Sequence, residues 1–118
     1  MTKIKRGMVI EVNLDPVKGS ETGKVRPCIV VTNNVYNERV PVIQVVPVTT
    51  WKPKKARIRT NVERSPSSTN ALSKKSIADC LQTRPIDCRF RLVNVRGRLS
   101  ASKMRSIDQA LRIVFDLH

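Results

Sequence analysis

The sequence predicts a mainly β domain of the α+β kind, in which a small antiparallel barrel is followed by one C-terminal helix. Short apolar segments follow one another without intervening helices, and Gly and Pro residues bend or end them. Only the last segment changes to a helical period. The 118 residues, 40% of them hydrophobic, suffice for one core, so we expect a single domain over residues 1–118. The order of elements alone fits SH3-like and OB-like barrels equally well.

Three strands are predicted in the first half of the chain. Residues 8–14 alternate between apolar and polar, which predicts a strand with one buried face. Residues 28–32 are apolar on both faces and should form a central strand. Residues 40–48 are rich in valine, but Pro41 and Pro47 should confine this strand to an edge or mark bulges in it.

The second half is predicted to contain three further strands and the helix. Alternation predicts a strand at 57–62, and the composition of 65–70 is that of a loop. We expect short strands at 76–82 and 91–95, with a turn at 84–87 between them. The C-terminal helix, capped by Ser100 or Ser102, is predicted from apolar residues at helical spacing, namely Met104, Ile107, Leu111 and Val114.

Net charge points to a polyanionic partner. The 23 Lys and Arg against 9 Asp and Glu give +14, which favours nucleic acid first, an acidic protein second and an anionic membrane surface third. No apolar run approaches the roughly 20 residues of a membrane span. The N-terminal charges are followed by no apolar run of the signal-peptide type. We therefore expect a cytoplasmic protein.

Several catalytic chemistries lack the residues they need. Cys28, Cys80 and Cys88 have spacings that match no zinc or redox motif, and the first and second lie in apolar runs typical of buried thiols. The only histidine is His118, the last residue, which is a poor general base because chain ends fray. We expect neither a metal nor another cofactor.

The chain resembles the MazF/PemK (Kid) family of toxin endoribonucleases along nearly its whole length. The most specific motif, over residues 6–33, reads RG-V--V-L-P--GSE--KVRP-IVV-N. It is followed in the family's order by VVPVTT at 45–50, DCLQTRPID at 79–87, GRLS and the terminal helix. The resemblance implies an SH3-like barrel of the type shared by CcdB, MazF and Kid, and a homodimer.

The activity that the resemblance implies is metal-independent, sequence-specific cleavage of single-stranded RNA, as performed by a toxin of a type II toxin–antitoxin system. The products carry 2′,3′-cyclic phosphate and 5′-hydroxyl ends. In this reaction the substrate's own 2′-oxygen attacks phosphorus, so the site needs proton transfer and cationic stabilisation but no protein nucleophile. A chain with many arginines and no usable histidine suits that chemistry.

Three residues match the family's catalytic positions. Arg26 matches an arginine whose guanidinium stabilises the developing charge and donates a proton to the leaving 5′-oxygen. Thr49 matches a threonine that bonds a non-bridging phosphate oxygen, although Thr50 is a rival, because adjacent strand residues face opposite ways. Glu21 either orients the arginine or assists proton transfer.

Substrate binding is expected at residues around these three. Ser20 would bond a phosphate, and Gln82 would read a base, line the groove or make a buried structural hydrogen bond. Trp51 would either stack on an unpaired base or pack inward. The basic residues expected to neutralise RNA phosphates, with Arg59 beside them, are Lys24, Lys52, Lys54, Lys55, Arg57 and Arg84.

Partners and alternatives follow from the same charge. The strong positive charge fits an acidic, MazE-like antitoxin that would lie along the RNA groove. Fold alone does not decide function, because the same barrel occurs in CcdB-like toxins that bind DNA gyrase and cut nothing. A non-catalytic RNA-binding module is the third reading, and RNA left intact would distinguish it.

Overall fold

A computed structural model describes residues 3–118 of the chain. Seven strands and four helices follow in this order: β1 (Met8–Asn13), β2 (Val25–Val30), α1 (Asn34–Asn37), β3 (Val42–Thr50), α2 (Pro53–Ala56), β4 (Asn61–Arg64), β5 (Ser76–Asp79), β6 (Arg84–Asp87), α3 (Cys88–Arg91), β7 (Leu92–Arg98) and α4 (Ala101–Phe115). A 3₁₀ turn, Cys80–Gln82, joins β5 to β6. Met1 and Thr2, which belong to the domain predicted over 1–118, lie outside the described residues.

The strands form one antiparallel sheet in the order β4-β5-β3-β2-β1-β7, and β6 also pairs with β3. β3 is the longest strand and joins three partners: its first residues pair with β6, its middle with β2 and its last three with β5. The pairing does not close the sheet, but the arrangement is compatible with a barrel-like fold. The predicted antiparallel class with a C-terminal helix is confirmed.

Two apolar layers lie on the two faces of the strands, because alternate residues of β1, β2 and β3 point in opposite directions. The layer beneath α4 contains Val9, Ile29, Val46, Val48, Met104, Ile107 and Ala110. The other layer contains Ile10, Val12, Leu14, Cys28, Val30, Ile43, Val45 and Ile86. β1 is therefore buried on both sides rather than on one, since Val9 is as inaccessible as Ile10.

Prolines account for two differences from the predicted elements. β3 is central rather than at an edge, and Pro47 lies opposite Cys28 within the ladder. Residues 84–87 were predicted as a turn on account of Pro85, but they form β6. A proline has a fixed φ and no N–H donor. A strand can therefore accommodate it at a position where the N–H is not needed for pairing.

Three strands have boundaries that differ from the predicted ones. β2 begins at Val25, three residues before the prediction, so it includes Arg26. The predicted strand at 57–62 is displaced to β4, and the residues before it form the short helix α2 and a turn. The strand predicted at 76–82 ends at Asp79 and gives way to the 3₁₀ turn.

The C-terminal helix agrees with the sequence pattern. α4 starts after Ser100, whose side chain accepts a hydrogen bond from the Lys103 N–H, so Ser100 and not Ser102 is the cap. Met104 and Ile107 are buried against the sheet, and Leu111 and Val114 pack at the edge of the same layer. No helix among residues 3–118 is long and apolar enough to cross a bilayer.

Candidate active site

Arg26 is a strand residue with an anchored guanidinium. It lies opposite Val12 of β1, and its Nε donates to the carbonyl oxygen of Gly23 at 2.8 Å. A Cβ at position 23 would lie 2.6 Å from Asp15 Oδ1, so any larger residue there would require the Asp15 side chain to move. Within residues 3–118 the two terminal nitrogens of Arg26 have no hydrogen-bond partner, so they can serve a ligand.

The register between β2 and β3 brings Arg26 and Thr49 together. The last pair of the β2–β3 ladder is Cys28 with Pro47; Arg26 lies two residues before Cys28, and Thr49 lies two residues after Pro47. Residues directly opposite in an antiparallel pair point to the same face, whereas neighbours along a strand point to opposite faces. Thr49 therefore shares the face of Arg26, and Thr50, which is exposed, lies on the other face.

Glu21 and Ser20 lie in the β1–β2 loop, residues 14–24, beside Gln82. Both ends of the Gln82 amide are used: Oε1 accepts from Thr22 N at 3.2 Å, and Nε2 donates to Ser20 O at 3.1 Å. Gln82 thus clamps the loop in place, which is the structural alternative predicted for it. Glu21 Oε1 accepts from the Lys18 N–H at 2.7 Å. No ion pair among the described residues joins Glu21 to Arg26.

The loop base is closed by backbone and side-chain bonds. Asp15 Oδ1 accepts from Lys24 N at 2.9 Å, and Leu14 N donates to Lys24 O at the same distance. The Lys24 side chain is exposed beside the loop. These bonds tie the beginning and end of the loop together. They therefore hold the chain in place where it enters β2, next to Arg26.

Arg84 is a second anchored guanidinium near Arg26. Its Nη1 donates to Leu14 O at 3.0 Å. Burial raises the pKa of the Cys28 thiol to about 12, and the positive charges of Arg84 and Arg26 both oppose that rise. A groove of about 440 Å³ begins beside Arg84 and is lined by Pro16, Glu21, Thr22, Leu81, Gln82, Thr83, Arg84 and Pro85.

One face of the Trp51 indole ring is occupied by a lysine. Lys75 Nζ lies 4.2 Å from the centre of the indole ring and is also paired with Glu63 at 2.6 Å. The indole Nε1 is buried without a hydrogen-bond partner. Among the basic residues after Trp51, Lys52, Lys54, Arg57 and Arg59 are exposed, as a phosphate-tracking loop requires.

Lys55 differs from those basic neighbours. It is half-buried, and its Nζ donates to Thr49 Oγ1 at 3.2 Å. Its charge also acts on Asp79, a carboxyl whose pKa is raised, mainly by burial. Asp79 stood in the DCLQTRPID motif, but sequence reasoning gave it no role. No sequence pattern pairs Lys55 with Thr49. Their hydrogen bond depends on the position that α2 takes in the folded chain.

A family model described as "PemK-like, MazF-like toxin of type II toxin-antitoxin system" matches residues 5–115. The chain belongs to the PemK/MazF family. An endoribonuclease MazF from Staphylococcus saprophyticus is 35% identical over 115 residues, which cover 98% of this chain and 93% of that protein. The resemblance on which the site residues were chosen is thereby confirmed.

Solved structures of PemK/MazF proteins share the fold. MazF from Deinococcus radiodurans superposes with a TM-score of 0.83 at 20% identity, over 99% of this chain and all of that one. An endoribonuclease in complex with its cognate antitoxin, from a mycobacterial species, gives a TM-score of 0.75 at 21% identity, over 96% and 95%. At these identities the likeness concerns the fold alone.

Proposed function

We propose that this PemK/MazF protein is a metal-independent, sequence-specific endoribonuclease that cuts single-stranded RNA. The observation that carries the proposal is the placement of Arg26 and Thr49 on one face, each two residues beyond the Cys28–Pro47 pair, with the unpartnered guanidinium nitrogens of Arg26 available to a phosphate. Sequence-specific RNA recognition generally targets single strands, whose bases are accessible. Residues 1–118 act as one domain in the cytoplasm.

The substrate supplies the nucleophile in this reaction. The 2′-oxygen forms a bond to the adjacent phosphorus as its proton leaves, and the bond from phosphorus to the 5′-oxygen breaks. A 2′,3′-cyclic phosphate remains on one product, and the 5′-oxygen of the other takes up a proton. The negative charge that develops on the non-bridging oxygens is stabilised best by donors already fixed in position.

Each site residue has a role in that scheme. Arg26 binds the non-bridging oxygens with its planar donors and gives a proton to the leaving 5′-oxygen. The Thr49 hydroxyl donates to a non-bridging oxygen, and Glu21 assists proton transfer from the 2′-hydroxyl. Arg84, whose guanidinium donates to Leu14 O, holds a neighbouring phosphate. Ser20, Lys24, Lys52, Lys54 and Arg57 contact the flanking chain.

Two partners follow from the charge and from the relatives. An acidic, MazE-like antitoxin would neutralise the exposed basic loop and block the groove, in keeping with the solved complex of a similar endoribonuclease with its antitoxin. The chain also forms a homodimer. Light scattering of the purified protein should give twice the mass of one chain, and a mass of one chain at micromolar concentration would contradict the dimer.

The nuclease is tested with purified protein and a long single-stranded RNA in the presence of EDTA. We expect discrete cuts, mapped by primer extension, whose 5′-hydroxyl ends accept phosphate from polynucleotide kinase without prior phosphatase treatment. Arg26→Ala should abolish the cuts, whereas Arg105→Ala, an exposed arginine of α4, should retain them. Intact RNA from folded, antitoxin-free wild type would overturn the proposal in favour of a gyrase-binding or RNA-binding protein.

A further inference from the structure

We propose that Lys55 is a positioning residue for the Thr49 hydroxyl and not one of the lysines that track flanking phosphates. The inference rests on the proposed nuclease function. Its starting point is the hydrogen bond from Lys55 Nζ to Thr49 Oγ1, at 3.2 Å. Lys55 belongs by sequence to a run of exposed basic residues, but its side chain leaves that run and turns toward β3.

The direction of this hydrogen bond decides what Thr49 can do. A hydroxyl group has one hydrogen and two acceptor lone pairs, whereas a lysine ammonium has three hydrogens and no lone pair. Lys55 can therefore only donate, and Thr49 must accept through one of its lone pairs. The hydroxyl hydrogen then remains available for a non-bridging phosphate oxygen, and the adjacent positive charge makes it a stronger donor.

Lys55 is held for this role by its backbone and by a nearby charge. Its carbonyl oxygen accepts from Asn61 Nδ2 at 3.0 Å and from Ile58 N at 3.2 Å, which ties the end of α2 to the start of β4. The carboxyl of Asp79 lies near enough for the Lys55 charge to lower its pKa against the effect of burial.

Lys54 offers a matched comparison within the same helix. It has the same charge and the same local sequence, but its side chain is exposed. A lysine that only tracks RNA phosphates should affect substrate affinity and its salt dependence. A lysine that orients a hydroxyl used in the transition state should affect the chemical step instead.

The test measures kcat and KM on a short RNA containing the mapped cleavage site. Lys55→Met should lower kcat roughly ten- to a hundredfold, the effect of one charge-assisted hydrogen bond, with little change in KM. Lys55→Arg, which can still donate, should recover part of the loss. Lys54→Met should raise KM and leave kcat within about twofold of wild type. Thermal unfolding of each variant checks that it is folded.

Coupling between the two side chains provides the second readout. If Lys55 acts through Thr49, the double variant Thr49→Val with Lys55→Met should be no slower than Thr49→Val alone. A Lys55→Met variant that raises KM like Lys54→Met, or a double variant in which the two losses multiply, would overturn the inference while leaving the nuclease intact. A wild type that does not cut RNA would overturn both.

Discussion

Arg26 illustrates how a side chain that must stay polar is held at the edge of an apolar strand. Arg26 lies in β2, two residues before the buried Cys28, and its Nε donates to the Gly23 carbonyl. One donor is used for position and the others remain for phosphate. The account therefore depends on the shape of the guanidinium and not on its charge alone.

Substituting Arg26 with lysine separates shape from charge. Arg26→Lys keeps the positive charge but loses the planar fork and the bond to Gly23, so we expect kcat to fall by about 10²–10³, as for other preorganised donors. Arg105→Lys on the exposed face of α4 is the matched control and should cut RNA at the wild-type rate. Single-turnover cleavage measures both, and near-normal activity of Arg26→Lys would contradict this role.

The buried cysteines give a prediction about pH. Burial raises the pKa of Cys28 and of Cys80 to about 12, so both thiols remain neutral as pH rises from 7 to 9. Because the thiolate is the reactive form, iodoacetamide should leave both unmodified in the folded protein at pH 9. In guanidinium all three cysteines should react, as read by mass spectrometry. Modification of Cys28 in the folded state would contradict its placement beneath the site.

At the level of elements, hydrophobic periodicity predicted the strands and the helix whose apolar residues pack in the core. It missed the elements that depend on pairing with another strand or that are too short to show a period. The helical spacing of α4 follows from burial of its apolar face, so the helix was found; β1 was found from its alternation, although Val9 on its other face is buried as well. β6 was missed because Pro85 suggests a turn when read locally, yet its neighbours pair with β3. The helix α2 was missed because its four residues contain too few apolar positions to show a period.

β7 passes so close to the loop at residues 65–70 that it needs a glycine. Arg98 N donates to Thr69 O at 2.8 Å, and a Cβ on Gly97 would collide with that same carbonyl and lie 2.8 Å from the carbonyl carbon of Asn70. Asn70 is fully buried, and its side-chain oxygen accepts from Ser67 N and Leu72 N. The loop therefore has little freedom to move away.

Gly97→Ala tests this close approach. Forcing a methyl group into the contact should lower the free energy of unfolding by about 1–3 kcal/mol or more, measured by urea denaturation. Ser73→Ala, in an exposed stretch, is the control and should change stability by no more than about 0.5 kcal/mol. An unchanged midpoint for Gly97→Ala would show that the loop and β7 are not in contact as described.

At the scale of the whole molecule, the basic residues that give the charge of +14 divide into those with an acidic partner and those without one. Arg6, Arg89, Arg96 and Lys75 each have an acidic partner in the described part of the chain, at Asp108, Asp87, Glu11 and Glu63. The lysines and arginines after β3 are mostly exposed, beside the register that joins Arg26 to Thr49. The molecule thus presents part of its unpaired positive charge in the loop after β3, where the proposed substrate would lie, and further exposed lysines and arginines lie along the rest of the described chain.

The sequence could predict the site residues that lie on strands and belong to family motifs. Arg26 and Thr49 match family motifs, and alternation along β2 and β3 places both on one face. The partners of Gln82 and Lys55 were not predictable, since each side chain bonds a residue that the fold brings near from another element. Whether a basic residue tracks phosphate or supports the site depends on such contacts, which composition does not encode.

The central claim, attack by the substrate's own 2′-oxygen, is tested most directly with two RNA oligonucleotides that differ in one atom. Both contain the mapped cleavage site, and one carries a 2′-deoxyribose immediately 5′ of the scissile phosphate. We predict that the all-ribose strand is cut and that the deoxy strand binds comparably but stays intact. Cleavage of the deoxy strand at the same bond would contradict the account, because the nucleophile would then be something other than the substrate's 2′-oxygen.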